Sequence, residues 1–371
     1  MGTEGGKKHL LHVFATFGIG GPQIQTCRLL NHFAGAYSHS IIAMDGNVEA
    51  GARISRDVEV NFVSLSFRKQ RTFRNLVLFR RTLRRINPDL LLTYNWGAIE
   101  WAMANYLFPA CPHVHFERGF GPDEVAGQKA RRALMRRVFL QRACKVVVPS
   151  LVLERIAVES WKVPAARLQY IPNSVNCSTY KVKCHKSDHD GEVILGTVTS
   201  LRQEKNIPRM MRAFARLAGT NGNARLWIVG EGPERAEIET LIAAYKLNNM
   251  VRMWGYVENP RELLAQMDIF VVSSDTEQMP NAVVEAMAAG LPVVGTDVGD
   301  VRHVVAALNK EYVVDKDNEP LLYDKIAVLA SQPALRKALG EANRQRCREH
   351  YDWEGMAQSY RLLYETTGRG G

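Results

Sequence analysis

Short apolar runs that break into Gly-rich or polar turns, and then into helical stretches, alternate along this chain, stop near residue 170, and begin again near residue 193. His9–Phe14 has the length and content of a buried strand, Gly18-Ile19-Gly20-Gly21 turns the chain, and Pro22 opens a helical stretch to about Phe33. Proline suits a first helical turn because its missing amide has no intrahelical partner there. Strand-like runs recur at Ser40–Met44, Val60–Leu65, Leu90–Tyr94, Val114–Glu117 and Lys145–Pro149, with Leu76, Phe79, Leu83 and Ile86 on one helical face between them. After a polar interval rich in Lys, His and Asp, the alternation restarts. Strands are expected at Val193–Thr199, Arg225–Val229, Val251–Trp254, Ile269–Ser273 and Pro292–Thr296, and helices at Pro208–Leu217 and Arg235–Tyr245. Such alternation specifies parallel sheets covered by helices, an α/β fold of two doubly wound domains. At 371 residues the chain is long enough for both. We expect a first domain over 1–175, a second over 176–350, and a terminal segment, 351–371, whose helix runs roughly Trp353–Glu365. Ligands of open parallel sheets bind beyond the carboxyl ends of the strands, so the loops there are the candidate site.

The charge is uneven. The net +10 divides into +12 for residues 1–175 and −2 for the remainder. The basic half holds Arg68-Lys69-Gln70-Arg71, Arg80-Arg81, Arg84-Arg85, Lys129, Arg131-Arg132 and Arg136-Arg137. This predicts an anionic partner, a membrane surface or phosphorylated substrate, unless these are simply solvated helix faces. Nucleic acid would rest on charge alone, with no recognition sequence, and is not expected. No apolar run is long enough to span a bilayer. Lys7-Lys8 and the following apolar residues are interrupted by His12 and read as a first strand rather than a signal peptide, and Gly6 stands where a myristoylation signal has Ser or Thr. Six cysteines without a C-x-x-C pair suit a reducing cytoplasm. Cys177, Cys184, His185 and His189 match no metal spacing and are read as part of a linker.

The segment with the most chemical content is Glu277-Gln278-Met279-Pro280-Asn281-Ala282-Val283-Val284-Glu285, continued by Ala286-Met287-Ala288-Ala289-Gly290-Leu291-Pro292. Pro280 and Asn281 are expected to open a helix with Glu285 in its first or second turn, while Glu277 stays in the preceding loop. Helix-start amides favour an anion, and carboxylates accept paired hydroxyls. The run resembles the Glu-x7-Glu signature of the retaining glycosyltransferases of family 4, which have the GT-B fold of two Rossmann-like domains facing a cleft, with a last helix returning to the first domain. Other segments are similar to that family over essentially the whole chain. They are Arg202 and Lys205 in Leu201–Asn206, the first Gly-rich loop with Gly20 and Gly21, Val229-Gly230-Glu231-Gly232-Pro233-Glu234-Arg235, Ile171-Pro172-Asn173-Ser174, and Tyr351-Asp352-Trp353-Glu354.

The resemblance implies roles. Glu277 would contact hydroxyls of the donor sugar and Glu285 the nucleotide ribose. Arg202 and Lys205 would grip the diphosphate and stabilise the leaving group. Gly20, Gly21, Gly230 and Gly232 would let backbone approach the nucleotide-sugar, with Pro280, Asn281 and Ala282 beside it. Where relatives carry His-Gly, this chain has Arg118-Gly119, so His115, Glu117 and Arg118 are the candidates for that histidine's role, with a core position for His115 or an anionic ligand for Arg118 as alternatives. No cofactor and no metal are expected, Asp315-Lys316-Asp317 being too late in the chain to serve as a metal-binding D-x-D. The implied function is transfer of a sugar from a nucleoside-diphosphate sugar to a glycan or polyprenyl-diphosphate-linked glycan, as in bacterial exopolysaccharide or lipopolysaccharide synthesis. The implied setting is the cytoplasm, with peripheral contact to the anionic inner membrane face. A catalytically silent nucleotide-sugar binder, or a phosphorylase or epimerase of the same architecture, is the alternative.

Overall fold

A computed structural model of the chain describes residues 7–67, 71–120, 124, 127–180 and 191–367. Arg68, Lys69 and Gln70 of the basic run, and Cys184, His185 and His189 of the linker reading, lie outside the described residues. The chain forms two compact units, residues 1–171 with 357–371, and residues 172–356. The division falls at Ile171/Pro172, four residues before the expected boundary, and the segment 351–371 is itself divided, its first residues belonging to the second unit.

The first unit contains β1 (Lys8–Phe14), α1 (Gly21–His32), β2 (Tyr37–Ala43), β3 (Val60–Phe62), α2 (Thr72–Ile86), β4 (Leu90–Tyr94), α3 (Ile99–Leu107), β5 (His113–Phe116), α4 (Ala130–Phe139), β6 (Lys145–Val148), α5 (Leu151–Glu159) and β7 (Leu168–Tyr170). Its parallel sheet has the order β3-β2-β1-β4-β5-β6-β7, so the winding reverses between β1 and β4. Alternation along the strands sends Leu11, Val13 and Leu91 to one side, where they pack with Leu76, Phe79 and Leu83 of α2 and Trp101 and Ala104 of α3. On the other side Phe14, Tyr94, Phe116 and Tyr360 stack in near-parallel succession, with ring centroids 4.0, 4.9 and 5.7 Å apart. Stacked aromatic pairs contribute about 0.5–1.5 kcal/mol each beyond their buried area. Tyr360 is contributed by the chain's last helix, so a residue from the far end of the sequence covers Phe116 at the end of β5.

The second unit contains β8 (Val193–Val198), α6 (Ile207–Ala218), β9 (Ala224–Val229), α7 (Arg235–Ala244), β10 (Val251–Gly255), α8 (Arg261–Leu264), β11 (Ile269–Val272), α9 (Asn281–Ala288), β12 (Val293–Thr296), α10 (Val301–Val304), β13 (Val313–Val314), α11 (Glu319–Ser331) and α12 (Pro333–His350). α13 (Trp353–Thr367) begins in this unit and ends in the first. The sheet order β10-β9-β8-β11-β12-β13 reverses between β8 and β11. The chain enters and leaves the unit at one place: the Val175 amide donates to the Tyr351 carbonyl at 3.0 Å, and the Trp353 amide to the Val175 carbonyl at 3.0 Å. Behind this bridge the buried thiols of Cys177 and Cys347 lie 3.4 Å apart. That contact and burial push the Cys347 thiol pKa up, so Cys347 is a neutral packing group.

The close approach of two backbones at the carboxyl edge of this sheet requires glycine. Gly230 has φ +145°, and a Cβ on it would stand 1.7 Å from the Thr199 carbonyl oxygen. A Cβ on Gly232 would stand 2.3 Å from the Leu201 carbonyl oxygen. Gly230→Ala is therefore expected to lower the stability of the second unit by about 3 kcal/mol or more, combining backbone strain with overpacking. Gly222→Ala, whose methyl would meet nothing within 4 Å, is the control and should change stability by under about 0.5 kcal/mol in denaturant melts.

Three buried histidines make the first unit sensitive to acid. His12 donates or accepts between Tyr94 (3.0 Å) and His39 (3.1 Å), and His113 meets the Thr93 hydroxyl at 2.7 Å. Burial, reinforced by neighbouring histidines, holds His39 down to about 4, His113 down to about 3, and His12 well below its ordinary value. The unfolded chain protonates these rings below about pH 6.5 while the folded one does not, so stability is intact above 6.5 and drains as pH falls toward the folded values. Between pH 7 and 5 His39 and His113 should each cost about 2 kcal/mol, with His12 adding in the same direction. Hydrogen exchange of β1 and β4 amides, corrected for intrinsic rates, should show protection falling over that range. Protection independent of pH would refute the assignment of neutral rings.

Candidate donor site

At the reversal between β8 and β11 the strand ends diverge, and a cleft of about 210 Å³ opens there. Its wall includes Thr197, Thr199, Lys205, Ser274, Glu277 and the start of α9, Pro280 to Val283. Lys205 comes from the turn between β8 and α6, and Glu277 from the loop between β11 and α9. Their side chains meet at 2.6 Å, Nζ to Oε1, and the Ser274 hydroxyl donates to the same carboxylate oxygen at 2.7 Å. Both charged groups are largely enclosed, at 16% and 11% exposure, so the pair is a directed contact rather than a solvated one.

The loop carrying Glu277 is braced along its length. The Ser273 hydroxyl donates to the Lys205 carbonyl (2.9 Å), Thr296 to the Ser274 carbonyl (2.7 Å), and the Asp275 amide to the Glu204 carbonyl (2.8 Å). Arg209, nearly buried in α6, donates to the Ser273 carbonyl at 2.7 Å and pairs with Asp275 at 2.8 Å. Asn206, in the left-handed region at φ 43°, caps α6 by accepting from the Arg209 amide and donates to both oxygens of Asp275. Underneath, the Asp300 amide donates to the Gln278 carbonyl at 2.9 Å. The Asn173 side chain donates to the Met279 carbonyl at 3.2 Å. Arg209, Asn206 and Asp275 were not among the sequence candidates. The helical spacing of Arg209 among Ile207, Met210 and Met211 was the available signal.

The remaining donor-side candidates are placed as follows. Asn281 and Ala282 begin α9, with Pro280 just before them and Glu285 in the second turn, half-buried and not part of the cleft wall. Arg202 is about half exposed, its guanidinium 3.0 Å from the Ser200 hydroxyl and 3.2 Å from Glu204. Gly230 and Gly232 stand behind Thr199 and Leu201 and fix the strand-end geometry rather than lining the cleft. In the first unit, Gly20 is extended (φ −166°) and Gly21 opens α1, so neither requires a conformation reserved for glycine. A methyl on Gly21 would meet nothing within 4 Å, which leaves room for close approach at that turn.

His115 lies in the core, the alternative position expected for it, and Glu117 is buried beside it, a correction to its expected exposure to a ligand. Both are completely buried, and neither presents a surface to a ligand. The His115 ring meets the Thr93 hydroxyl at 2.8 Å and lies 3.7 Å from Glu117, which accepts from Arg136 Nε at 2.8 Å. Arg136 is itself buried, flanked by Trp96, Phe120 and Trp161 with its guanidinium 5.0–5.5 Å from their ring centres, and lies 3.7 Å from Glu124. The physical reason is direct: a carboxylate at this depth needs a cation, and Arg136 supplies it. These residues brace the end of β5. Arg118, half-buried, has its amide held by the Asn95 side chain at 2.6 Å and its guanidinium hydrogen-bonded to the Tyr360 hydroxyl. Asn95 holds φ 56° and ψ −175°, a strained conformation at the end of β4. The Asp315-Lys316-Asp317 loop is closed on itself, Lys316 pairing with Asp317 at 2.8 Å. No helix among the described residues is long and apolar enough to cross a membrane.

Family models and known proteins match the chain over most of its length. Residues 19–179 match the family model described as Glycosyltransferase Family 4, and residues 183–346 match Glycosyl transferases group 1. The chain is 29% identical over 175 residues to the N-acetyl-alpha-D-glucosaminyl L-malate synthase of Bacillus anthracis, an alignment covering 47% of this chain and 46% of that protein. The chain thus spans under half the length of that relative. It is 23% identical over 346 residues to the lipopolysaccharide core biosynthesis glycosyltransferase LpsE of Rhizobium meliloti, covering 91% of this chain and 94% of that one. The solved structure of Anabaena Alr3699/HepE in complex with UDP superposes with a TM-score of 0.79 at 15% identity, covering 97% of this chain and all of that one. With two parallel α/β units, GT-B structural neighbours and consecutive family matches from residue 19 to 346, the chain belongs to the family 4 glycosyltransferases of GT-B fold.

Proposed function

We propose that this protein transfers a sugar from a nucleoside-diphosphate sugar to a hydroxyl of a glycan or lipid-linked glycan, with retention of anomeric configuration and without a metal ion, in bacterial exopolysaccharide or lipopolysaccharide synthesis. The observation that carries the reading is the enclosed Lys205–Glu277–Ser274 contact at the β8/β11 reversal, beside the start of α9. A diphosphate placed there meets a compact ammonium and the positive end of a helix, and both gain strength as the leaving group takes up charge. The Glu277 carboxylate, fixed by Ser274, is then an acceptor for sugar hydroxyls. Arg202, about half exposed in the same turn as Lys205, provides a second cation, and Glu285 an acceptor for ribose hydroxyls one helical turn further on.

In the reaction the bond between the anomeric carbon and the diphosphate oxygen breaks, and a bond to the acceptor oxygen forms on the same face. The acceptor proton passes to the departing phosphate. A cation beside the diphosphate serves the step that costs most, charge separation, and needs no protein nucleophile. Similarity to LpsE supports a surface-polysaccharide acceptor, and UDP-sugars are the first donors to test because the Anabaena neighbour is a UDP complex.

Two variants separate the assigned roles. Glu285→Ala should lose most UDP binding. Glu277→Gln should hold UDP within severalfold of wild type, yet lower kcat/KM by about 100-fold or more. Isothermal titration with UDP and turnover of a donor panel read both, and equal effects on UDP affinity would contradict the division of labour. Turnover should persist in EDTA, and proton NMR of the fresh product should show the donor's anomeric configuration. Inversion, or loss of activity on chelation, would replace the mechanism.

A further inference from the structure

One face of the first unit combines exposed apolar side chains with arginine and has no part in the donor site. On α2, Phe73, Val77, Arg81 and Arg84 fall on one stripe at helical spacing, opposite the buried Leu76, Phe79 and Leu83. Phe73 is 87% exposed and Val77 48%. On α4, Arg131, Leu134 and Val138 form a second outward stripe, with Leu134 59% exposed. Between these helices α3 is buried along most of its length and surfaces only at its end. There Leu107 and Phe108 are exposed, and Arg80 of α2 stands 4.3 Å over the Phe108 ring. Neither α2 nor α4 contains an acidic residue. A solvated helix face mixes charge signs and keeps large apolar groups inside, and this face does neither.

We propose that this face docks on the surface of an anionic lipid bilayer. Arginines gather at the phosphate layer, and Phe73, Val77, Leu134 and Val138 enter the headgroup and acyl boundary between them. A nucleic acid would use the charge but offers nothing for Phe73 and Leu134 in an intact duplex. A protein partner would have to be acidic and apolar together. The inference deepens the reading above by naming the surface that brings a lipid-linked acceptor to the enzyme, and rests on that reading for the acceptor alone.

The test is co-sedimentation of the full chain with vesicles of phosphatidylcholine and of phosphatidylcholine mixed with phosphatidylglycerol. We expect binding to the anionic vesicles only, weakened by raised salt. Each charge removed should weaken partitioning about fivefold, so Arg81→Glu/Arg84→Glu/Arg131→Glu should lower it by more than about 100-fold. Phe73→Ser/Leu134→Ser should lower it severalfold and leave the residue more salt-sensitive. Release of sugar from a soluble donor should be unchanged in both variants, which separates failure of docking from failure of the transferase reading. Absence of binding, equal binding to neutral vesicles, or full binding by the triple variant would overturn the proposal. So would displacement by duplex DNA, or a change of oligomeric state in light scattering for either variant.

Discussion

The contact on which the second unit depends is between two stretches of backbone. Gly230 and Gly232 lie so close to Thr199 and Leu201 that no side chain fits between them. Because the ends of β8 and β9 are locked together, the turn after β8 has one course available, and that course presents Lys205 toward β11. The loop after β11 is held from the opposite side by Thr296, the Asp300 amide and Asn173. A cation and a carboxylate from loops 72 residues apart therefore meet within hydrogen-bonding distance. Such precision comes from supporting groups rather than from the pair itself, which is why Arg209, Asn206 and Asp275 matter as much as the groups they position.

The first unit solves a different problem. The end of β5 carries Glu117 inward, where an unpaired carboxylate would be costly, and the answer is an arginine enclosed by three aromatic rings. Replacing either partner alone leaves the other buried and uncompensated. The same segment turns outward one residue later at Arg118, which Asn95 and Tyr360 hold between them. The strain at Asn95 is thus tied to the placement of one particular side chain.

Much of this was legible in the residues because it depends on local rules. Strand cores such as Leu90–Tyr94 and Ile269–Val272 are continuous apolar runs bounded by polar turns, and their ends fell within a residue or two of expectation. The Glu277–Glu285 segment announced itself because proline and asparagine between two glutamates have few reasons to follow a strand except to open a helix. What stayed hidden depends on which way a residue faces across the fold. Arg136 sits in a run with Arg131, Arg132 and Arg137 that looks uniformly solvated, and only its helical spacing from Ala133 and Leu140 hints at an inward position. His115 and Glu117 on alternating positions of one strand could only be read as sharing a face, and whether that face was core or cleft depended on α4. The three-residue β7 was too short to stand out beside the break that follows it.

The bridge of Val175 to the segment around Asp352 brings the chain's entrance to the second unit beside its exit. In topological terms the second unit is an insertion within the first, whose final piece, Tyr360 and Tyr364, lies beyond the insert. On the ribosome the first 171 residues emerge without the residues that cover Phe116 and Tyr37. At roughly 5–20 residues per second, the wait for the remaining chain is on the order of 10–40 seconds. The aromatic surface of the first unit must stay soluble for that interval. The insert, a continuous stretch with its ends together, has no such delay and can finish folding before the unit that began earlier.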